Sequence, residues 1–286
     1  MKDLVPTSRI KSEPGFETLS PKEYEERKAN AYNASRGNLN EADGYNCDLC
    51  KNKGYIATVS HNEQFGYYSE TLVPCKCQRV RNAIHRLHLS GLKNIMKDYT
   101  FDQYETKDEW RRVLKEKAMQ FCRDDEHTWY FMGGQSGAGK THLCTAIAVH
   151  YIRKGKDTKY MLWRDEIAQI KAIVNDAQAY TERMRALKEA PVLYIDDLFK
   201  GGQVEDGRFR PPTEADIKAA FEIINYRYND PDLITIISSE RTIAEINQID
   251  EAIAGRIAER AKAGGYCLNI KRDPARNWRM HGIAEV

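Results

Sequence analysis

A glycine-rich loop that follows an apolar strand constrains this chain more than any other feature of its sequence. Residues 129–132 (WYFM) predict a buried strand that runs directly into GGQSGAGKTHL. The segment 134–141 matches G-x-x-x-x-G-K-[ST], the pattern of a loop whose backbone N–H groups bind phosphate oxygens. The predicted phosphate contacts are Gly134, Gln135, Ser136, Gly137, Ala138, Gly139, Lys140, Thr141 and His142. An α/β fold with a parallel sheet is therefore expected.

Each residue type in this loop has a physical reason. Glycine lets the backbone approach the phosphates, because any Cβ would block them. Lys140 supplies a compact positive charge for the β and γ phosphates, and the Thr141 hydroxyl can ligate Mg²⁺. The alternative is a glycine-rich turn between a strand and a helix. The helical spacing of Leu143, Ile147 and Ala148 after the loop favours the phosphate site.

Two further strands end in acidic residues. Residues 191–197 (PVLYIDD) predict a buried strand. Its Asp196 would hold Mg²⁺ through the water shell of the ion, and Asp197 would stand where water is activated. Residues 233–240 (LITIISSE) predict another buried strand with Glu240 at its end. Because ligands of such sheets bind at the carboxyl ends of the strands, Glu240 is expected near the γ-phosphate.

Four of the seven cysteines come in two close pairs, Cys47 with Cys50 and Cys75 with Cys77, on either side of two strand-like runs. This arrangement suits a structural, tetrahedral Zn²⁺ site, because a C-x-x-C turn directs both sulfurs at one ion. Core cysteines and a redox pair are the alternatives, and a reducing compartment disfavours disulfides. A module of this size would need the metal to fold. The other cysteines lie in apolar runs and are interpreted as core residues: Cys122, Cys144 and Cys267.

The chain is expected to contain three segments. Residues 1–20 predict a flexible tail, 21–98 an N-terminal domain with the zinc site, and 99–286 the nucleotide-binding domain. A net charge of +2 leaves any affinity for nucleic acid to local patches. The sequence has no run of about 18 apolar residues and no signal-peptide core, so a cytoplasmic protein with no membrane contact is expected.

A basic segment, residues 76–97, predicts an amphipathic helix that is broken at Ser90 and Gly91. Its apolar positions, Val80 and Ile84 among them, recur at helical spacing. The basic side chains could contact phosphates, or they could neutralise the neighbouring thiolate cluster, and the pattern leaves both interpretations open. These basic residues are Arg79, Arg81, Arg86, Lys93 and Lys97.

Several motifs together resemble a known family. In order along the chain they are CDLCKNKGYI, PCKCQRVR, SGL, GGQSGAGKTHL, YIDDLFK, TIISSE and GRIAER. This combination is similar to the phage and bacterial DnaC-type replicative helicase loaders, which are AAA+ ATPases. The resemblance covers the chain from about residue 45. It implies an AAA+ P-loop ATPase core with no full C-terminal lid, preceded by a small zinc-binding domain. Only sixteen residues follow Ile270, in keeping with the missing lid, and Arg279 is a weak substitute for the sensor-2 residue of that lid.

The resemblance also implies partners and residue roles. The protein would use ATP, Mg²⁺ and Zn²⁺, bind a hexameric DnaB-type replicative helicase through residues 21–98, and deliver it to single-stranded DNA. The resemblance assigns Glu240 to the sensor-1 position and Arg256 to an arginine finger that reaches a neighbouring subunit, so that the chain self-associates. Arg256 could instead pair with Glu259 or with water, and Arg260 is the reserve candidate. Apart from the resemblance, the sequence pattern predicts helices from Ser20, over 165–189 and from Thr213, and core strands over 159–163 and 266–270. In the resemblance, the helix after the second core strand would face DNA with Lys171, Arg183 and Arg185.

Two positions depart from the usual AAA+ pattern. The second acid of the third core strand is Asp197 where glutamate is common, so its reach towards the attacking water is shorter. Glu240 stands where many members have asparagine, and it would repel the γ-phosphate unless a cation lies between them. The expected activity is slow, Mg²⁺-dependent ATP hydrolysis that is suited to a switch and is stimulated by a partner or by DNA.

Three rival functions share parts of this pattern. An IstB-type transposition helper ATPase has the same core but mostly lacks the paired cysteines. A P-loop kinase would need an acceptor pocket and lid arginines that act on the same nucleotide. A zinc-dependent adaptor with a vestigial nucleotide site would keep its function when Lys140 is replaced.

Overall fold

The computed structural model describes residues 19–89, 98–201 and 210–280. The chain divides into two compact units, Met1–Gln78 and Arg79–Val286. Most of the predicted tail, residues 1–18, lies outside the described residues, as do 90–97. The domain limits expected from the sequence, with a boundary near residue 98, therefore stay a prediction.

The first unit is a helical segment followed by a hairpin. Its elements are α1 (Pro21–Ala34), α2 (Leu39–Asp43), β1 (Tyr55–Asn62) and β2 (Tyr67–Pro74). Helix α1 begins as predicted, because Ser20 and Glu23 form a reciprocal capping box. The Asn33 amide bonds both backbone groups of Ala57, at 2.8 and 2.9 Å, and so ties α1 to the first strand of the antiparallel hairpin.

Helix α3 (Cys77–Leu89) corresponds to the predicted basic helix. Val80 and Ile84 are buried, which confirms the amphipathic pattern. One basic position differs from the prediction, because Arg81 is only 8% exposed and does not belong to a solvent-facing basic surface. The predicted break at Ser90 and Gly91 lies outside the described residues.

The second unit alternates strands and helices after α4 (Glu109–Phe121). The elements that follow are β3 (Trp129–Gly134), α5 (Lys140–Arg153), β4 (Thr158–Leu162), α6 (Trp163–Ala172), α7 (Ala177–Lys188), β5 (Val192–Asp196), α8 (Glu214–Tyr228), β6 (Ile234–Ser239), α9 (Ile243–Asn247), α10 (Glu251–Lys262) and β7 (Cys267–Ile270). Two 3₁₀ turns, Pro274–Arg276 and Trp278–Met280, come last. Among the described residues, no helix combines the length and hydropathy needed to cross a membrane.

The five core strands form one parallel sheet in the order β4-β5-β6-β3-β7. Strand β3 therefore lies between β6 and β7, and its sequence neighbour β4 lies at the far edge. In such sheets ligands bind beyond the carboxyl ends of the strands, where the order reverses. The predicted α/β class with a parallel sheet is confirmed, and the loop after β3 stands beside the ends of β6 and β7.

Both faces of the sheet are covered, and successive residues of β3 show this. Trp129 and Phe131 pack in one apolar cluster, whereas Tyr130 and Met132 pack in the other. Alternate side chains of a strand point to opposite faces, so a continuous apolar run is expected when both faces are covered. The predicted core cysteines are confirmed: Cys122 and Cys144 are buried, and Cys267 packs against the first cluster.

A buried arginine joins two helices to the sheet. Arg227 of α8 is fully buried, and its guanidinium donates to the Thr235 hydroxyl at 2.9 Å. It also donates to four backbone carbonyl oxygens at the end of α7 and the start of β6, those of Leu187, Lys188, Ala190 and Ile234. Burial lowers the pKa of Arg227 to about 9.

The helical part between β4 and β5 differs from the expectation of one long helix over residues 165–189. It forms two helices, because Asp176 caps a new helix by accepting the Ala179 N–H at 3.0 Å. Trp163 begins α6 and does not end the preceding strand. The short helix α9 was not expected, since five residues are too few to show a helical period.

Candidate functional site

The loop between β3 and α5 has the backbone of a phosphate site. Gly134, Gly137 and Gly139 take positive φ angles of 103°, 71° and 85°, which only glycine adopts freely. Lys140 is 6% exposed and donates to the carbonyl oxygens of Gly134 at 3.0 Å and Gln135 at 2.7 Å. Burial lowers the pKa of Lys140 to about 8. An anion above the loop would favour the charged ammonium and raise this pKa again.

The two residues expected to serve Mg²⁺ meet directly. The Thr141 hydroxyl donates to Asp196 Oδ1 at 3.2 Å, although 55 positions separate the residues in sequence. A hydroxyl and a carboxylate oxygen at the carboxyl edge of the sheet are ligands of the kind that Mg²⁺ takes. The residues present therefore fit the ion.

Three hydroxyl groups that the sequence did not single out also bind Asp196. Tyr160 donates to Oδ2 at 2.9 Å, Tyr194 donates to Oδ1 at 2.8 Å, and Ser238 donates to Oδ1. The carboxylate is 3% exposed, so these donors replace the water that would otherwise solvate it. For Tyr194 a signal was present in the sequence, because residues two apart on a strand share a face.

Asp197 and Glu240 share one cation. Lys200 Nζ lies 2.7 Å from Asp197 Oδ2 and 3.3 Å from Glu240 Oε1. Glu240 Oε1 also accepts from the Ser136 hydroxyl at 3.1 Å. The sequence suggested that a cation must offset the charge of Glu240, and within the described residues Lys200 is placed to do so. Sequence reasoning assigned no role to Lys200, since it lies at the start of a loop without a pattern.

The environment shifts the two carboxyl groups in opposite directions. Burial, together with the charge of Asp196, raises the pKa of Asp197 in spite of Lys200. Burial alone would raise the pKa of Glu240, but Lys200 and the Ser136 hydroxyl outweigh it and leave this pKa lowered. Asp197 has a φ of +59°, an unfavourable backbone conformation for a residue with a Cβ. Such strain is typical of functional positions.

A cavity of about 280 Å³ adjoins the loop. Its lining includes Lys140, Thr141, Asp197, Lys200 and Glu240. It also includes His142, a predicted phosphate contact, and an aromatic and basic group that the sequence did not reveal: Tyr99, Tyr104, Arg111 and Trp278. The ring of His142 stacks on Tyr99 with 4.7 Å between centroids. Arg279, the weak sensor-2 substitute, also lines the cavity.

Arg256 and Arg260 lie on α10 and fold back onto α8. Arg256 donates to Asn225 Oδ1 at 2.9 Å, and its guanidinium carbon lies 5.0 Å from the centre of the Phe221 ring. Arg260 donates to the carbonyl oxygen of Tyr228. Neither residue lines the cavity beside the phosphate loop of its own chain. The role of Arg256 as a finger for a neighbouring subunit stays a prediction.

The three basic residues nominated for DNA have different surroundings. Lys171 pairs with Asp216 at 2.6 Å, and Arg183 pairs with Glu166 at 2.7 Å. Arg185 is exposed and forms no ion pair with a described residue. Internal pairing weakens a phosphate contact, because the pair must be broken first. Arg185 is therefore the strongest of the three candidates.

The four paired cysteines of the first unit come together. Their sulfurs all lie within 4.8 Å of one another, with Cys47 to Cys75 at 3.8 Å and Cys50 to Cys77 at 3.5 Å. A tetrahedral Zn–S₄ site with bonds of about 2.3 Å has sulfur separations of about 3.8 Å, whereas a disulfide needs about 2.05 Å. The cluster could therefore hold a metal ion, and its geometry fits Zn²⁺.

A backbone donor supports the thiolate form of this cluster. The Gly54 N–H donates to Cys50 Sγ at 3.3 Å. Burial alone would raise the pKa of Cys50, but this hydrogen bond and the neighbouring thiols lower it to about 7. Metal ligands commonly carry such supporting hydrogen bonds.

Two curated relatives match most of the chain. The uncharacterized protein YqaM of Bacillus subtilis (strain 168) is 26% identical over 309 residues, which cover 92% of this chain and 94% of that protein. The phage-like element PBSX protein XkdC of the same strain is 28% identical over 255 residues, which cover 85% of this chain and 89% of that protein.

Among solved structures, the DnaC helicase loader is 23% identical, with a TM-score of 0.45 over 61% of this chain and 96% of that one. The chain also matches DnaA structures, of which it spans about half the length. The model of the family described as "IstB-like ATP binding protein" matches residues 58–280. With the parallel sheet, the phosphate loop and the meeting of Thr141 with Asp196, this match shows that the chain belongs to the IstB-like ATP-binding proteins of the AAA+ class.

Proposed function

We propose that this protein is an ATP-dependent helicase loader, which binds a hexameric DnaB-type replicative helicase and delivers it to single-stranded DNA. The observation that carries the proposal is the four-cysteine cluster in the unit ahead of the ATP-binding core. The motif combination of the DnaC-type loaders includes such pairs, whereas IstB-type transposition helpers mostly lack them. The name of XkdC, a protein of a phage-like element, is in keeping with a phage-encoded replication factor.

In the proposed mechanism, the residues of the core bind ATP and position its terminal phosphate. The loop N–H groups and Lys140 bind the phosphates, while Thr141 and Asp196 would hold Mg²⁺, which would neutralise the charge that develops during transfer. Asp197 orients the attacking water once its contact with Lys200 has loosened. Because this ion pair must be rearranged first, intrinsic hydrolysis is slow.

The partner roles follow from the surfaces that the core leaves open. Arg256 completes the site of a neighbouring copy when it leaves Asn225, so that hydrolysis depends on assembly. Arg185 contributes to the surface that meets single-stranded DNA. The unit with the cysteine cluster binds the helicase. The geometry of that unit depends on bound zinc, so helicase binding requires the metal.

The test is co-migration with hexameric replicative helicases of bacterial and phage origin, with and without ATP. We expect a stable complex that responds to ATP, and Lys140→Ala should abolish the response without abolishing the fold. Lys156→Ala, an exposed lysine outside the nucleotide site, is the matched control and should behave as the wild type. No association with any helicase in either condition would reject the loader function.

The second candidate is a transposition helper of the IstB type, favoured by the family description itself. Such a helper would bind a transposase and double-stranded DNA in an ATP-dependent manner, and would ignore ring helicases. Metal analysis of the purified protein also distinguishes the two candidate functions, because one zinc ion per chain is expected for the helicase loader.

A further inference from the structure

Arg111 on α4 is a buried cation that lines the nucleotide cavity together with Lys200 and Glu240. It is 6% exposed. In the part of the chain that the structure describes, no carboxylate lies within ion-pair distance of it, and its Nε has no hydrogen-bond partner. A buried charge of this kind is costly unless an opposite charge compensates it. Arg111 is therefore a candidate ligand for an anion.

Three aromatic rings lie against Arg111, that of Trp110 at 5.9 Å from the guanidinium carbon and two that are closer. The guanidinium carbon lies 4.9 Å from the centre of the Tyr104 ring and 4.5 Å from that of Trp278. Rings stabilise a guanidinium electrostatically, but they accept none of its in-plane N–H bonds. The donors at the edge of Arg111 remain suited to oxygen acceptors, and an anion offers the strongest ones.

The position of Arg111 selects one part of the nucleotide. The Thr141 and Asp196 pair marks the metal, and Lys200 marks the terminal phosphate, because it pairs with Glu240, which binds Ser136 early in the loop. Arg111 packs on Tyr104, whose hydroxyl donates to the Ala138 carbonyl oxygen and whose ring lies against Gly139, at the end of the loop. Burial lowers the pKa of His142, and the charge of Arg111 adds to this effect. Because Lys200 and Glu240 lie by Ser136 and Arg111 lies by Gly139, at the other end of the loop, the phosphate expected beside Arg111 is the α-phosphate.

We propose that Arg111 binds the α-phosphate of the nucleotide, and that Trp278 excludes water from this contact. The proposal deepens the proposed function and rests only on its ATP-binding part. The loop N–H groups, Lys140 and Arg111 would then surround the phosphate chain, with Arg111 on the nucleoside side.

The C-terminal segment is held in place by the phosphate loop itself. The Trp278 N–H donates to the Gly137 carbonyl oxygen at 3.1 Å, and the Asp273 N–H donates to Gln135 Oε1 at 3.0 Å. A Cβ on Gly137 would collide with the Asn277 side chain. The position of Trp278 over Arg111 is therefore coupled to the conformation of the loop that binds phosphate.

The experiment measures dissociation constants for ATP, ADP and GTP by titration calorimetry of the full-length protein. We expect Arg111→Met to weaken the binding of ATP and of ADP by the same factor, on the order of 10- to 100-fold, because both nucleotides carry the α-phosphate. The ratio of ATP to GTP affinity should not change, since the base is not the ligand of Arg111. Arg111→Lys should recover part of the loss, and Trp278→Ala should produce a smaller loss for both adenine nucleotides.

Arg112 provides the matched control. It is exposed, and it pairs with Glu109 on the same helix. Arg112→Met should leave all three constants unchanged. If Arg111→Met fails to fold, Arg111→Lys alone decides: a loss shared equally by ATP and ADP supports the contact, and wild-type affinity overturns it.

The possible results separate this inference from the proposed function. A wild-type protein that binds no nucleotide would contradict the proposed function. Normal wild-type binding with no effect of the Arg111 variants would overturn the α-phosphate contact alone. A loss confined to ATP would also overturn it, by placing Arg111 at the γ-phosphate, and a changed ATP to GTP ratio would do so by placing it at the base.

Discussion

The two compact units of this protein are stabilised by different means. In the described part of Met1–Gln78, the buried apolar side chains are those of two alanines and the four clustered cysteines: Ala29, Ala57, Cys47, Cys50, Cys75 and Cys77. In Arg79–Val286, two extensive apolar clusters cover both faces of the sheet. Burial of apolar area is the main stabilising contribution to folding, and the first unit has little of it. We therefore expect metal binding to supply in the first unit the stabilisation that the apolar core supplies in the second.

The largest expected effect is the response to metal removal. A chelator, or Cys50→Ser, should unfold the first unit, because structural zinc contributes about 10 kcal/mol or more to folding. The second unit should keep its stability. Hydrogen exchange, followed separately over residues 19–78 and 98–280, measures both at once. Cys122→Ala, which removes a core thiol outside the cluster, is the control and should leave residues 19–78 protected. Protection that survives chelation in a metal-free protein would contradict the comparison.

The next effect tests the second unit, where burial rather than metal is decisive. Arg227→Met keeps the volume but leaves the carbonyl oxygens of Leu187, Lys188, Ala190 and Ile234 without their donor. Unsatisfied buried groups cost about 1 to 3 kcal/mol each, so a loss of at least about 3 kcal/mol is expected. All four tryptophans lie in this unit, and their fluorescence during denaturant unfolding reports it alone. An unchanged midpoint would show that α7 and β6 do not depend on this contact.

A smaller effect concerns Asp124, a carboxylate that precedes β3. Asp124 accepts hydrogen bonds from the Tyr266 hydroxyl at 2.6 Å and the His127 N–H at 3.0 Å. Burial alone would raise the pKa of Asp124, but these donors lower it from 3.8 to about 2. Because the pKa is lower in the folded state, the ionised carboxylate stabilises the protein at pH values above the unfolded-state pKa. This stabilisation is lost as the pH falls towards 2. Asp124→Asn should therefore cost about 1 to 2 kcal/mol at pH 7, and this cost should shrink as pH falls from 4 to 2.

The smallest expected effect is a gain in stability, whereas the preceding changes all destabilise the protein. Tyr130 is 1% exposed, and its hydroxyl has no hydrogen-bond partner within the described residues. Tyr130→Phe should leave the fluorescence-detected midpoint unchanged or raise the stability by up to about 1 kcal/mol, because an unsatisfied hydroxyl leaves the core. Tyr194→Phe is the matched substitution, since Tyr194 donates to Asp196, and it should destabilise the protein. Equal effects of the two variants would mean that Tyr130 has a partner after all.

Local pattern was enough to predict most of the second unit. Five strands and the main helices were expected within a few residues of their observed limits, because apolar runs and caps such as Thr213 act over one or two turns. The pattern failed over residues 165–189, where a cap at Asp176 divides one expected helix into two. An aspartate within a segment of helical spacing cannot be recognised from the sequence alone as the N-cap of a new helix.

The sequence by itself determined the chemistry of the loop and which four cysteines cluster. Short spacings dictate both, since neighbouring residues in G-x-x-x-x-G-K-[ST] or C-x-x-C have little freedom to do anything else. Only the tertiary structure decided that Tyr160 and Ser238 bind Asp196, that Lys200 joins two carboxylates, and which basic residues lie buried. The physical reason is that a parallel sheet brings together the ends of strands that are distant in sequence. Residues that become neighbours in this way share no short sequence pattern from which their contact could be predicted.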